Sequence, residues 1–243
     1  ATEGGAQAAA SHTGALAAND KIFDGECRAA GITRAATVTE AFEAAATFAT
    51  QPLPAGPNTI VLTTAGGWGV VTADAITRDP DLRLMDLPAD LQASIDEKLP
   101  PRWSRNNPVD CAGGETRDTI PEVMELIATH PDVDALIYLG IGIQSNQARM
   151  MRDGRFYPDH GLERIVGYHE RQDERFAEAA VELSERTGKP ILVATELAVA
   201  DPDNPGPATV RRSGRLCYPS GGAAVTALGH LLRYSMHRGA RSR

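Results

Sequence analysis

The sequence predicts an α/β protein built on a doubly wound, mostly parallel sheet. Short apolar and β-branched runs recur at residues 59–64, 82–85, 134–139, 190–195 and 215–218. The first of these is nearly continuous, which suits a strand buried on both faces. Between the runs lie segments with apolar residues at helical spacing, such as Leu91, Ile95 and Leu99, or Ile120, Val123, Met124 and Ile127. Strand and helix alternate from Thr59 to Tyr234, the pattern of parallel crossover connections. Five strands are expected.

Residues 1–18 are dominated by Ala, Gly, Ser and Thr without periodicity, so His12 is placed on a loop. A helix over 20–30 carries Ile22, Phe23 and Cys27 at helical spacing and stops at Gly31. Residues 32–34 fit a short strand, and Thr39 is positioned to cap a helix over 40–48 with Phe42, Ala45 and Ala46 inward. Residues 51–58, with Pro52, Pro54, Gly56 and Pro57, read as a linker. The expected division is therefore 1–50, the end of one domain, then the linker at 51–58, then a second domain over 59–243.

After the first strand, Ala65, Gly66, Gly67, Trp68 and Gly69 make a sharp turn into a helix over 70–77. Strand, glycine turn and helix gather backbone N–H groups and the positive end of a helix dipole at one point, which suits an anion. The plain alternative is the tight turn that any doubly wound fold needs there. The spacing matches neither a Walker loop nor a full Gly-x-Gly-x-x-Gly fingerprint. A helix over 88–99 ends at Pro100 and Pro101. In Asn106-Asn107-Pro108-Val109-Asp110-Cys111-Ala112-Gly113-Gly114, Asn107 or Asp110 fits an Asx-type turn. At the sheet's carboxyl edge, Gly113 and Gly114 would also permit close backbone approach to a ligand.

A helix over 116–130 leads to the strand at 134–139. Residues 144–168 lack strong periodicity and contain Met150, Met151, Phe156, Tyr157 and His160, with His169 just beyond. Such a stretch reads as a surface loop, a subunit contact or an active-site flap. A charged amphipathic helix over 170–187 follows, with Phe176, Ala179, Ala180 and Leu183 inward. Residues 201–207 are too rich in Pro and Gly to be regular, and a last helix starts at Pro219-Ser220. The basic tail, 233–243, reads as solvated and frayed.

Composition narrows the function. A 42% hydrophobic, 23% charged chain of 243 residues is an ordinary globular protein. Its net charge of −8 argues against nucleic acid. No apolar run approaches the ~20 residues of a membrane span, and no signal peptide is visible. Cys27, Cys111 and Cys217 fit no zinc or redox motif and suit a reducing cytoplasm; no metal site is expected. The chain starts with Ala in a Gly- and Ala-rich stretch, which suggests that it was cut or processed from a longer polypeptide.

His12 sits in Ser11-His12-Thr13-Gly14-Ala15-Leu16, where little bulk hinders an imidazole from reaching a donor and then an acceptor. Neutral imidazole is a competent nucleophile near neutral pH. A merely exposed histidine beside a capping Ser11 or Thr13 is the bland reading. The run 9–17, followed by Asn19-Asp20, Phe23-Asp24 and Ala30-Gly31-Ile32, resembles the phosphohistidine segment of the nucleoside-diphosphate-forming acyl-CoA synthetases, the superfamily of succinyl-CoA synthetase. Residues 106–114 resemble the Asn-Pro-x-Asp-x-x-Gly-Gly segment of that superfamily's carboxy-terminal ligase domain, and 144–168 depart from its usual length.

The resemblance implies a flavodoxin-like strand order and a histidine, here His12, that carries a phosphoryl group between two sites. It implies interconversion of acyl-CoA, phosphate and a nucleoside diphosphate with a carboxylic acid, CoA and the triphosphate. It also implies CoA-binding and ATP-grasp domains or subunits as partners, with Mg-ATP and CoA bound there. No cofactor is assigned to this chain itself. The anion-site residues are Ala65, Gly66, Gly67, Gly69, Gly113 and Gly114. A non-catalytic regulatory module, as in acetyltransferase fusions, is the alternative. A flavin carrier fits less well, because no hydroxyl follows Thr64 in the glycine turn.

Overall fold

The computed structural model describes residues 4, 5, 7, 8, 19–113 and 118–241. Helices α1 (Asp20–Ala30) and α2 (Val38–Thr50) precede β1 (Asn58–Thr63), α3 (Gly66–Arg78), β2 (Arg83–Leu84) and α4 (Ala89–Asp96). Next come β3 (Val109–Asp110), α5 (Thr119–Thr129), β4 (Ala135–Leu139), α6 (Ile143–Arg152) and α7 (Leu162–Thr187). Last are β5 (Ile191–Ala194), α8 (Leu197–Ala200), α9 (Pro205–Arg212), β6 (Cys217–Tyr218) and α10 (Gly221–Arg241).

Every strand pair is parallel, and the main order is β2-β1-β4-β5-β6, the expected flavodoxin-like arrangement. Successive side chains of a strand face opposite ways. Ile60, Leu62, Leu136 and Tyr138 thus meet residues of α4, α5 and α7, while Val61, Ile137 and Leu139 meet those of α3 and α10.

The sheet has six strands among the described residues where five were expected. β2 pairs with the first two residues of β1, and β3 pairs with Leu62 and Thr63 farther along the same edge. The side chain of Asn107 fills the gap between them. Its Oδ1 accepts from the Val61 N–H at 3.0 Å, and its Nδ2 donates to the carbonyls of Thr59 at 2.9 Å and Met85 at 3.0 Å. A carboxamide offers a peptide's donor and acceptor together, so it replaces the missing rung of the ladder. The Asx-type turn falls to Asp110, whose Oδ1 accepts from the Ala112 N–H at 2.9 Å.

Local expectations needed correction where distant contacts decide. Residues 32–34 form no strand. Thr37, not Thr39, caps α2; its hydroxyl accepts from the Glu40 N–H while Glu40 reaches back to the Ala36 N–H, a capping box. Phe42 and Ala45 face outward, and Ala44 and Thr47 are the buried pair. The phase of α2 is set by Thr47 bonding the Tyr218 hydroxyl at 2.6 Å and Phe48 meeting Tyr234 edge-on. Gly66, Gly67 and Gly69 belong to the first turn of α3 instead of a separate turn. Asn204 caps a helix at 205–212 that begins with Pro205, a residue suited to a first helical turn, so the expected irregular loop is partly helical. The basic tail continues α10 to Arg241.

Residues 144–168 are largely helical, contrary to the structureless reading. Ser145 and Ala148 are the buried residues of α6, and Val166 is the one buried apolar side chain in the first eleven residues of α7, so no apolar period was there to see. Midway along α7, Asp173 accepts from the Ser145 N–H at 2.6 Å. Because α6 starts at the carboxyl end of β4, α6 and residues 162–172 rise above the sheet as an antiparallel arm. At 1.5 Å per residue that arm extends about 16 Å. The rest of α7 returns along the sheet and buries Phe176, Ala177, Ala180 and Leu183.

Candidate functional site

The carboxyl edge of the sheet brings the glycine segments toward one place. At the end of β1, the Thr63 hydroxyl accepts from the Ala65 N–H and donates to the Ala65 carbonyl, both at 2.9 Å, which fixes the turn. Ala65 is the extended N-cap of α3 and has no side chain to satisfy that helix end. The N–H groups of Trp68 and Gly69 return to the Ala65 carbonyl, leaving Gly66 and Gly67 as the outermost donors. Gly67 is exposed, with open space where a Cβ would stand.

Gly66 is different. A Cβ there would run into Oδ2 of Asp110, so the carboxylate of β3 sits against the start of α3. An incoming anion would share the helix end with that side chain. Gly69 is buried, and its Cβ position lies 3.0 Å from the Thr63 methyl and 3.3 Å from Pro108, so its absent side chain lets α3 settle on β1. Gly113 is exposed in the left-handed region at φ +66°, after Ala112 at φ +55°. His12 and Gly114 lie outside the described residues. The structure therefore gathers Ala65, Gly66 and Gly67 with Asp110, and leaves Gly69 inside the packing.

Two features escaped sequence reasoning. One is the Asp110–Gly66 approach, for which the only signal was an acidic residue three positions before Gly113. The other is Asp173, fully buried at the foot of the arm. Burial pushes its carboxyl up to about 6, against the opposing pull of the backbone N–H of Ser145 and its neighbours. Beside it, burial lowers the His169 imidazole, which bonds the Gln144 side chain. Nothing in a polar stretch marks which acid will be enclosed.

A separate cavity of about 490 Å³ lies between α1, residues 31–34 and α10. Its guanidinium groups are already paired, Arg34 with Asp24 at 3.1 Å and Arg233 with Asp81 at 3.4 Å. The carboxyl edge remains the better candidate.

A family model described as the Ligase-CoA domain matches residues 59–144, and one described as the succinyl-CoA ligase-like flavodoxin domain matches residues 1–48. The chain is similar to the ADP-forming acyl-CoA ligases. The 4-hydroxybutyrate–CoA ligase (ADP-forming) of Nitrosopumilus maritimus is 35% identical over 133 residues, which are 55% of this chain and 19% of that protein. The acetate–CoA ligase (ADP-forming) II subunit alpha of Pyrococcus furiosus is 38% identical over 136 residues, 56% of this chain and 29% of that subunit. Among solved structures, a dinucleotide-forming acetyl-coenzyme A synthetase of Ca. Korarchaeum cryptofilum, in complex with phosphate and ADP, superimposes with a TM-score of 0.74 at 26% identity. That match covers 99% of this chain and 47% of the other. The chain thus spans less than a third of the curated ligases it matches and about half of the solved one. Both the glycine segment of α3 and the Asn107–Asp110 segment fall within the Ligase-CoA match. Among the described residues no helix is long and apolar enough to cross a membrane.

Proposed function

We propose that this chain is the phosphoryl-handling part of an NDP-forming acyl-CoA synthetase, with His12 as the phosphoryl carrier. The enzyme would interconvert acyl-CoA, phosphate and nucleoside diphosphate with acid, CoA and triphosphate. The observation that carries this reading is the start of α3, which has no side-chain cap and opens on exposed Gly67 at the carboxyl edge. The backbone donors of Gly66 and Gly67, with Gly113 and Gly114 as a second wall, hold the phosphoryl oxygens. Ala65 shapes the turn, and Gly69 lets the helix end sit close to the sheet. Preorganised donors of this kind stabilise developing charge without reorganising.

The imidazole nitrogen of His12 attacks the phosphorus of an acyl phosphate; a P–N bond forms, the P–O bond to the acyl group breaks, and the carboxylate leaves. In the second step an oxygen of the nucleoside diphosphate takes the phosphoryl group and the P–N bond breaks. Residues 1–50 would close one ligase domain, 51–58 link, and 59–243 form the flavodoxin-like ligase domain. CoA-binding and nucleotide-grasping domains or subunits would supply the sites for CoA and Mg-ATP, which fits a chain that spans only part of its relatives' length. Three buried free cysteines fit a cytoplasmic setting.

Intact-mass spectrometry of the complete assembly after incubation with ATP and Mg²⁺, with and without His12→Ala, tests the proposal. An acid-labile, alkali-stable phosphoryl adduct that requires His12 is expected. Absence of an adduct under turnover conditions would favour a non-catalytic regulatory module.

A further inference from the structure

We infer that Arg102 is a positioning residue of the phosphoryl site. Its guanidinium holds the turn over Ala112 and Gly113 so that the Gly113 N–H faces a phosphate oxygen at the carboxyl edge. The inference rests on the phosphoryl-transfer reading above.

A chain of contacts leads from the start of α3 to this side chain. Oδ2 of Asp110 lies against Gly66, while Oδ1 accepts from the Ala112 N–H at 2.9 Å. The carbonyl of Ala112 in turn accepts from Arg102 Nε at 3.0 Å, and that of Gly113 from Arg102 Nη2 at 3.3 Å. Nε and Nη2 form one edge of a rigid planar fork, so a single side chain spans two successive carbonyls. The residues after Arg102 are fixed as well. Trp103, 3% exposed, donates to Asp96 at 2.8 Å, and the Ser104 hydroxyl accepts from the Asp110 N–H at 2.9 Å. Segment 102–104 thus runs beside 110–113 and braces it.

The braced turn has a conformation that needs support. Ala112 is a non-glycine residue at φ +55°, and Gly113 follows at φ +66°. Such backbone persists where its surroundings over-determine it. Here the effect is directional. The N–H and C=O of a trans peptide point opposite ways, so binding the Ala112 carbonyl to the guanidinium turns the Gly113 N–H to the other side. That N–H has no acceptor among the described residues, and nothing lies within 4 Å of the Gly113 Cβ position. The two carbonyl oxygens, which would repel an anion, stay on the arginine's side. An open backbone donor close to the Asp110–Gly66 contact is suited to a phosphate oxygen.

The test uses the complete assembly with Arg102→Ala and Arg102→Lys; lysine keeps the charge but has no fork. His12 is labelled from Mg-ATP with rising inorganic phosphate as competitor, and the apparent KM for Mg-ATP is measured on the same samples. In both variants the phosphate concentration that halves labelling should rise about tenfold. The KM for Mg-ATP should stay within about twofold of the parent, a split that a merely structural brace would not produce. An unchanged phosphate requirement in either variant would overturn the inference, as would equal changes for phosphate and Mg-ATP or parent labelling that phosphate does not inhibit. Should Arg102→Ala fail to fold, Arg102→Lys decides alone. A parent assembly that never labels His12 would remove the phosphoryl-transfer reading and this inference with it, whereas normal labelling with an unchanged phosphate requirement would remove Arg102 alone.

Discussion

The Asp110 carboxylate occupies the space that a side chain on Gly66 would need. A substitution at Gly66 must therefore move β3's carboxylate away from the start of α3. Gly66→Ala is expected to lower stability by about 1–2 kcal/mol, as overpacking does. Combining it with Asp110→Ala should recover most of that loss. Additive melting shifts in this cycle would mean that the two residues do not meet.

Gly67 offers the opposite case, because nothing lies within 4 Å of its Cβ position. Gly67→Val should leave the melting temperature within a few degrees of the parent while abolishing phosphohistidine in the assembled enzyme. A large loss of stability would instead make the glycine structural.

Asn107 bridges two strands through one amide. Asn107→Ala would leave the Val61 N–H and the Thr59 and Met85 carbonyls without that partner, for an expected loss of about 3 kcal/mol. Asn107→Asp should be at least as damaging, since a carboxylate cannot donate to the two carbonyls. Urea midpoints of the two variants decide this.

Asp173 titrates at about 6 when folded, above its ordinary 3.8. A raised carboxyl favours the folded state when protonated, so its contribution is complete below pH 3.8 and is lost as pH rises through 6. The shift corresponds to about 3 kcal/mol. Asp173→Asn should flatten the fall in stability between pH 4 and pH 7, read as the difference between the two proteins' melting curves. A parallel pair of curves would refute the assignment.

Glu40 contributes with the opposite sign. Burial raises the Glu40 carboxyl, but hydrogen bonds from His230 at 2.8 Å and from the Ala36 N–H at 2.9 Å outweigh it and hold the group below its ordinary 4.5. Stability from the Glu40 carboxylate is therefore present above that value and lost as pH falls through the lowered one. His230 also bonds Thr33, so His230→Ala should cost about 2–3 kcal/mol and loosen the attachment of α2 to α10, visible as faster amide exchange in residues 38–50.

Much of the molecule was legible in the chain because its signals are local. The run at 59–64 could hardly be anything but a buried strand, and the glycines after it mark where a helix starts close to a sheet. The segment around His12 and the glycine segments stood out as short motifs for the same reason. The helices of 143–172 were not legible, because a pair that packs mainly on itself needs few buried apolar residues and so leaves no period.

Sequence by itself determined the layered α/β architecture through its periodicity, and its short motifs carried the resemblance to the acyl-CoA ligases that implied the strand order, since both signals survive without knowledge of distant contacts. Tertiary structure decided which face of α2 turns inward, that Asn107 completes a sheet edge, that Asp110 meets Gly66, and that Asp173 is enclosed at the foot of an arm. Each of these depends on residues tens of positions apart or on neighbouring elements meeting in space. The energy of such a contact lies in the desolvation and pairing that folding creates, and that is written in no single stretch of the chain.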